Sequence, residues 1–183
     1  MGAQRAFQDM LPANHCWGCG ADNEAGLRVK SFWEGDEAVC RFQPQRHHMA
    51  GPTHVLNGGI ISTIIDCHCI CTSIAAAYRA EGREIGQGDR IWYATASLNV
   101  SFKRPTPIDQ PVELRAVITE VGERRTNLTC TLTSDGRECA VADIVAVRVP
   151  PAWLNPSQPN GSSDVTSRSA NAKSQIEKQG EGP

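Results

Sequence analysis

The chain has 183 residues, with 18 Lys plus Arg against 20 Asp plus Glu and a formal net charge of −2. That length suffices for one domain with a substantial core, and the near-neutral balance gives no reason to expect nucleic acid or a membrane surface as partner. The first thirteen residues lack the apolar run of a signal peptide, and no uninterrupted apolar stretch reaches the roughly 20 residues of a membrane span, so a cytoplasmic protein is expected.

In chain order, residues 1–13 read as an N-terminal extension before a domain over 14–150. Cys16-Trp-Gly-Cys19, preceded by His15, has the spacing of half a zinc site, but no second close pair stands at useful spacing, and a structural turn is favoured. Gly26 to Trp33 and Ala38 to Phe42 then read as a strand pair joined through Glu34-Gly35-Asp36. From Ile60 to Tyr78 the chain has no proline or glycine and is rich in Ile and Ala, which predicts a largely buried helix beginning at Gly58-Gly59. On that helix Cys67 and Cys71 share a face while Cys69 points away, so the three cannot converge on one metal and read as small core residues. In a chain without an export signal, most of the eight cysteines are expected to be reduced thiols.

A polar connection from Glu81 to Asp89 leads to a long alternation. Trp92, Ala94, Ala96, Leu98, Val100 and Phe102 should face one way, and Tyr93, Thr95, Ser97, Asn99 and Ser101 the other. Three more strands follow, Val112 to Val121, Thr126 to Ser134 and Glu138 to Val149, the last pair joined by a hairpin at Asp135-Gly136. Beyond Pro150 the composition turns to Ser, Asn, Gly, Gln and Glu, so 151–183 is expected to be a disordered tail. Two strands, one helix apolar on nearly every side and four strands imply an α+β domain, in which a curved antiparallel sheet wraps the helix.

Asp66 lies two turns inside that helix. Burying a charge among apolar residues is costly, so the acid is either satisfied by unseen partners or used for chemistry. Gly58 and Gly59 open the helix, where unpaired N–H groups and the positive end of the helix dipole can receive a carbonyl or phosphate oxygen. The same glycines also permit a tight turn and close packing on a sheet. His68 stands two residues from Asp66, about 200° around the helix, and cannot form a dyad with it in one chain. His54, on the preceding loop, either reaches the mouth of such a site or packs the loop. Lys103-Arg104 and Arg124-Arg125 are basic pairs at strand ends, suited to phosphate binding or simply solvated.

Asn57-Gly58-Gly59 with Asp66 eight residues after the first glycine, together with Ser97-Leu-Asn-Val-Ser-Phe-Lys-Arg-Pro-Thr106 and Cys16-Trp-Gly-Cys-Gly20 followed by Gly26-Leu27, resembles the hotdog-fold acyl-CoA thioesterases, in particular the PaaI-like (phenylacetate-type) branch. The likeness runs from about Asn14 to Val149. It implies hydrolysis of an acyl-CoA, or a related acyl thioester, by a homodimer or homotetramer with no metal and no cofactor beyond the coenzyme A of the substrate. By the same resemblance the Gly58 N–H would stabilise the oxyanion, and Asp66 would attack as nucleophile or activate water as general base. Asn57 would donate to the thioester oxygen and Thr95 would orient the water. Gly59, His54, Lys103, Arg104 and Arg125 would contact the substrate. Two positions depart from the family pattern: Asn57 stands where most members carry His, and Gly51-Pro52 where many carry Asn or Gln. A dehydratase or hydratase on the same fold, and a module that binds an acyl-CoA or aromatic ligand without turnover, are the alternatives.

Overall fold

The structure is a computed structural model and describes residues 4–154. Six strands and one long helix follow in the order β1 Ser31–Glu34, β2 Glu37–Phe42, α1 Gly58–Ala80, β3 Tyr93–Phe102, β4 Val112–Val121, β5 Arg125–Ser134 and β6 Arg137–Arg148. Short 3-10 turns cover Phe7–Met10 and Arg46–His48. The compact unit that holds these elements ends at Val149, and the unit beginning at Pro150 contributes a 3-10 turn, Pro151–Leu154. The tail expected to be disordered lies, from 155 onward, outside the described residues.

The strands form one antiparallel sheet in the order β1-β2-β4-β5-β6-β3. Alternation along β4, β5 and β6 sends every second side chain toward α1, and the register aligns these into rows. One row runs Cys40, Leu114, Leu132, Ala140 and Phe102; the next runs Ala38, Ala116, Cys130, Ala142 and Val100. Leu128, Ile144 and Leu98 form a third, and Thr126, Ala146 and Thr95 a fourth. The small residues Ala38, Ala116, Ala140, Ala142 and Ala146, all at most 1% exposed, let the helix approach the sheet closely.

Helix α1 buries Ile61, Ile64, Ile65, Cys67, Cys69, Cys71, Ile74, Ala75 and Tyr78 on several faces at once. By length and composition it would suffice to cross a bilayer, more than the sequence reading allowed, but here the sheet and the N-terminal loops cover that surface. Its internal hydroxyls are satisfied locally: Ser62 donates to the Gly58 carbonyl, Thr63 to Gly59, Thr72 to His68 and Ser73 to Cys69.

The expected strand over Gly26 to Trp33 forms only from Ser31. Its first half is held elsewhere: Leu27 N–H donates to the Trp17 carbonyl (2.9 Å) and Val29 N–H to Gly18 (3.1 Å), so the segment pairs with the Cys16–Cys19 loop instead of β2. Arg28 adopts φ +55° to make that turn. The residues read as an N-terminal extension also enter the core, with Phe7 and Leu11 buried and Gln8 fully enclosed.

Candidate active site

The N-terminus of α1 is seated by the loop before it. Leu56 N–H donates to Thr106 (2.9 Å), Asn57 N–H to His48 (2.9 Å), and Ile108 N–H to His54 (3.1 Å). Asn57 is the helix cap: its Oδ1 accepts from Gly59 N–H at 2.7 Å and from Ile60 N–H at 3.4 Å. The cap occupies the amides of the second and third helical residues. Among the described residues, the Gly58 N–H has no hydrogen-bond partner, and it lies at the positive end of the helix. A cavity of about 520 Å³ opens there, lined by Leu56, Gly58, Ile61, Phe102, Lys103 and Arg104 among others. Phe102, 55% exposed, stands against Gly58.

Two turns on, Asp66 is half-buried and accepts a hydrogen bond from Thr95 Oγ1 of the same chain. Strict alternation along β3 would turn Thr95 away from α1. The register breaks between Thr95 and Ser97, which pair with the consecutive residues Ala146 and Val145, so Ala96 is an extra residue in the strand. This β-bulge reverses the parity of β3. Thr95 therefore shares the helix-facing side with Leu98, Val100 and Phe102, where the sequence pattern had set it on the opposite side. Burial pushes the Asp66 carboxyl above its ordinary range, the Thr95 hydrogen bond pulls it back, and the charge of Cys19 adds a further upward push.

The remaining sequence candidates divide by position. Gly59 has its N–H engaged by the cap, and its carbonyl accepts from Thr63. His54 is exposed on the loop and enters through its backbone. Lys103 and Arg104 line the cavity at Gly58, with Arg104 donating to the Glu138 carbonyl at 2.6 Å. Arg125 lies elsewhere. It pairs in register with Val147, whereas Phe102 beside Gly58 pairs with Ala140, a separation of seven residues along β6, or about 23 Å. Arg125 thus belongs to the Thr95 end of the sheet. His68 turns away from Asp66 into the core, its Nε2 donating to the Ala38 carbonyl (3.1 Å) and its Nδ1 meeting Ser31 Oγ (2.8 Å). Full burial lowers its pKa to about 4 and keeps it neutral. Gln8 completes this network through Ser31, a partnership between an N-terminal turn and a strand that no local pattern announces.

A larger cavity, about 690 Å³, lies at the other end of α1 around Trp33, Arg79 and Arg83 and contains neither Gly58 nor Asp66. The chemically distinctive groups are at the smaller one and beside β3.

The thioesterase superfamily model matches residues 53–141, which include Gly58, Asp66 and Thr95. A solved thioesterase superfamily protein from Shewanella loihica is 30% identical, with a TM-score of 0.56 over 75% of this chain and 96% of that one. The chain belongs to the thioesterase superfamily. One long helix packed on a six-stranded antiparallel sheet is the hotdog arrangement of that superfamily. The PaaI protein of the phenylacetic acid degradation operon of E. coli (13% identity, TM-score 0.54, 68% of this chain and 81% of that one) shares the fold. So does a thioesterase from Haemophilus influenzae (14% identity, TM-score 0.56, 72% and 84%). No curated protein matches the chain.

Proposed function

We propose that this superfamily member hydrolyses acyl-CoA, or a related acyl thioester, with Asp66 as the essential carboxylate. The observation that carries the proposal is the Asp66–Thr95 pair: a carboxylate on an apolar helix, raised in pKa by burial and met by a hydroxyl that a strand irregularity aims at it. As general base Asp66 takes a proton from water while the oxygen attacks the thioester carbon; as nucleophile it attacks that carbon itself and water later resolves the anhydride. In either course the negative oxygen is met by the Gly58 N–H and the carbon–sulfur bond breaks; in the first the departing thiolate takes up the proton held by Asp66, and in the second it leaves as thiolate and is protonated from solvent, while hydrolysis of the anhydride returns the Asp66 carboxylate and the free acid.

Gly58 and Asp66 are eight residues apart on one helix, about 12 Å along its axis. One thioester carbonyl cannot touch both in the same chain. The proposed site is therefore composite, joining Asp66 and Thr95 of one protomer to the Gly58 end of a second copy. Strand β3 suits this pairing. It is an edge strand of ten residues, and antiparallel addition of a second β3 there brings the Thr95 end of one copy beside the Phe102 and Gly58 end of the other. Lys103 and Arg104 from one copy and Arg125 from the other then flank the same entrance, where the phosphates of coenzyme A require cations. Asn57 serves as cap first, leaving its side-chain amide N–H groups for the substrate.

His68 turns into the core, held by Ser31 and the Ala38 carbonyl, which disfavours a hydratase that would pair it with Asp66. The deciding experiment is thiol release from a panel of aliphatic and aromatic acyl-CoAs by the wild type and Asp66→Asn. Hydrolysis by the wild type and its loss by at least about 100-fold in the variant is expected. Tight acyl-CoA binding without hydrolysis by either protein would replace the enzyme with a binding module.

A further inference from the structure

Four cysteine sulfurs meet where the Cys16–Cys19 loop crosses α1. The Sγ atoms of Cys16, Cys19 and Cys67 all lie within 4.8 Å of one another. Cys16 stands 3.8 Å from Cys67, and Cys19 stands 3.8 Å from Cys71. The sequence holds the two halves 51 and 52 residues apart, a Cys-x-x-Cys loop and a Cys-x-x-x-Cys helical face, and packing brings them together.

Four thiolates about 2.3 Å from a tetrahedral zinc ion are about 3.8 Å from each other. A disulfide requires about 2.05 Å. The spacing found for both cross-pairs is thus that of co-ligands. Cys16, Cys19 and Cys67 form one face of the tetrahedron, and Cys71, 3.8 Å from Cys19 but outside the group whose sulfurs all lie within 4.8 Å of one another, is the residue that would turn inward to supply the fourth corner.

The surroundings are shaped for this contact. A Cβ on Gly18 would lie 2.3 Å from Cys67 Sγ and 2.9 Å from Thr63 Cγ2, so only glycine lets the loop press onto the helix. At Gly20 a Cβ would lie 2.4 Å from the Asn14 carbonyl, and its N–H closes the turn onto the Cys16 carbonyl at 2.7 Å. Asn14, 2% exposed, accepts from Cys16 N–H (3.2 Å) and points its amide at Cys19 Sγ (3.9 Å), an outer-shell donor to a sulfur. Cys19, Cys67 and Cys71 are buried, and Cys16 stands at the surface as the point of entry. Among the described residues, no Lys, Arg or His side chain hydrogen-bonds these sulfurs.

We propose that Cys16, Cys19, Cys67 and Cys71 bind one structural zinc ion. Four thiolates close the coordination sphere, so the ion does no chemistry on substrate; it clamps the loop over residues 14–29 to the helix turn that carries Asp66.

The test is metal content of the full-length protein, purified under reducing conditions from zinc-supplemented cells without a metal-binding tag. One zinc per chain is expected, released by a mercurial and replaceable by cobalt(II) with the visible absorption of a tetrahedral thiolate site. Cys16→Ser, at the exposed ligand, and Cys71→Ser should each weaken zinc retention at least about 10-fold against a competing chelator, while Cys130→Ser, buried outside the cluster, retains it. The zinc-free wild type should melt lower than the loaded form. A wild-type chain that takes up no zinc while its thiols are reduced would overturn the proposal, as would mapped Cys16–Cys67 and Cys19–Cys71 disulfides in protein isolated with alkylation at lysis.

Discussion

Asp66 shows how one environment sets both the use and the limits of a carboxylate. Its acid form is favoured by burial and its charged form by the Thr95 hydroxyl. The proposed hydrolysis needs the carboxylate, so kcat/KM should fall as pH drops through a pKa above the ordinary aspartate value of 3.8. Thr95→Val removes the hydrogen bond that lowers this pKa. Its acidic limb should therefore move to higher pH, with about a 10-fold loss at neutral pH, and a pH–rate series on both proteins checks the sign. At Gly58 a cleaner deletion is available. Proline is welcome at the first helical position and lacks only the N–H; Asn57 already has the extended ψ of 133° that precedes proline comfortably. A Cβ at Gly58 would meet Phe102 at an ordinary 3.5 Å. Gly58→Pro should keep its melting temperature and lose about 100- to 1000-fold in kcat. Retained activity in that variant would remove the oxyanion role from Gly58.

The elements divide into those their own residues announce and those that only packing creates. Helix α1 was legible because a proline- and glycine-free apolar run has few other solutions, and β4 to β6 because alternation between turn residues is a local signal. The parity of β3 was not. Ala96 carries no glycine or proline mark, and its bulge shows only in the pairing with β6. For the same reason Thr95 was legible as a candidate by resemblance while its direction was not. The thiol cluster was hidden differently: Cys67 and Cys71 could be placed on one helical face, but nothing local says which loop crosses it. That crossing has its own prediction. Gly18→Ala would drive a methyl into Cys67 and Thr63, at a cost of about 1–3 kcal/mol read as a lower midpoint in urea. An unchanged midpoint would mean that the loop does not press on the helix in solution.

At the scale of the molecule, a lone chain leaves β3 as an open edge and holds Gly58 and Asp66 too far apart to serve one carbonyl. Mixing two disabled chains separates a composite site from an internal one. When Asp66→Asn and Gly58→Pro are co-expressed, half of a randomly assorted dimer population is mixed, and each mixed dimer regains one intact site. About a quarter of wild-type activity is expected. No recovery, with mixed dimers demonstrated by mass spectrometry, would confine the site to a single chain.

The eight-residue interval between Gly58 and Asp66 also governs how such a catalyst responds to its own abundance. Turnover per milligram would not be constant on dilution. It would decline once chains part company, and rise again on concentrating the sample, with no change in any individual residue. A surplus of chains crippled at both Gly58 and Asp66 would likewise silence a healthy one by sequestering it, so the concentration of partners, as much as the chemistry of the carboxylate, would set the working rate.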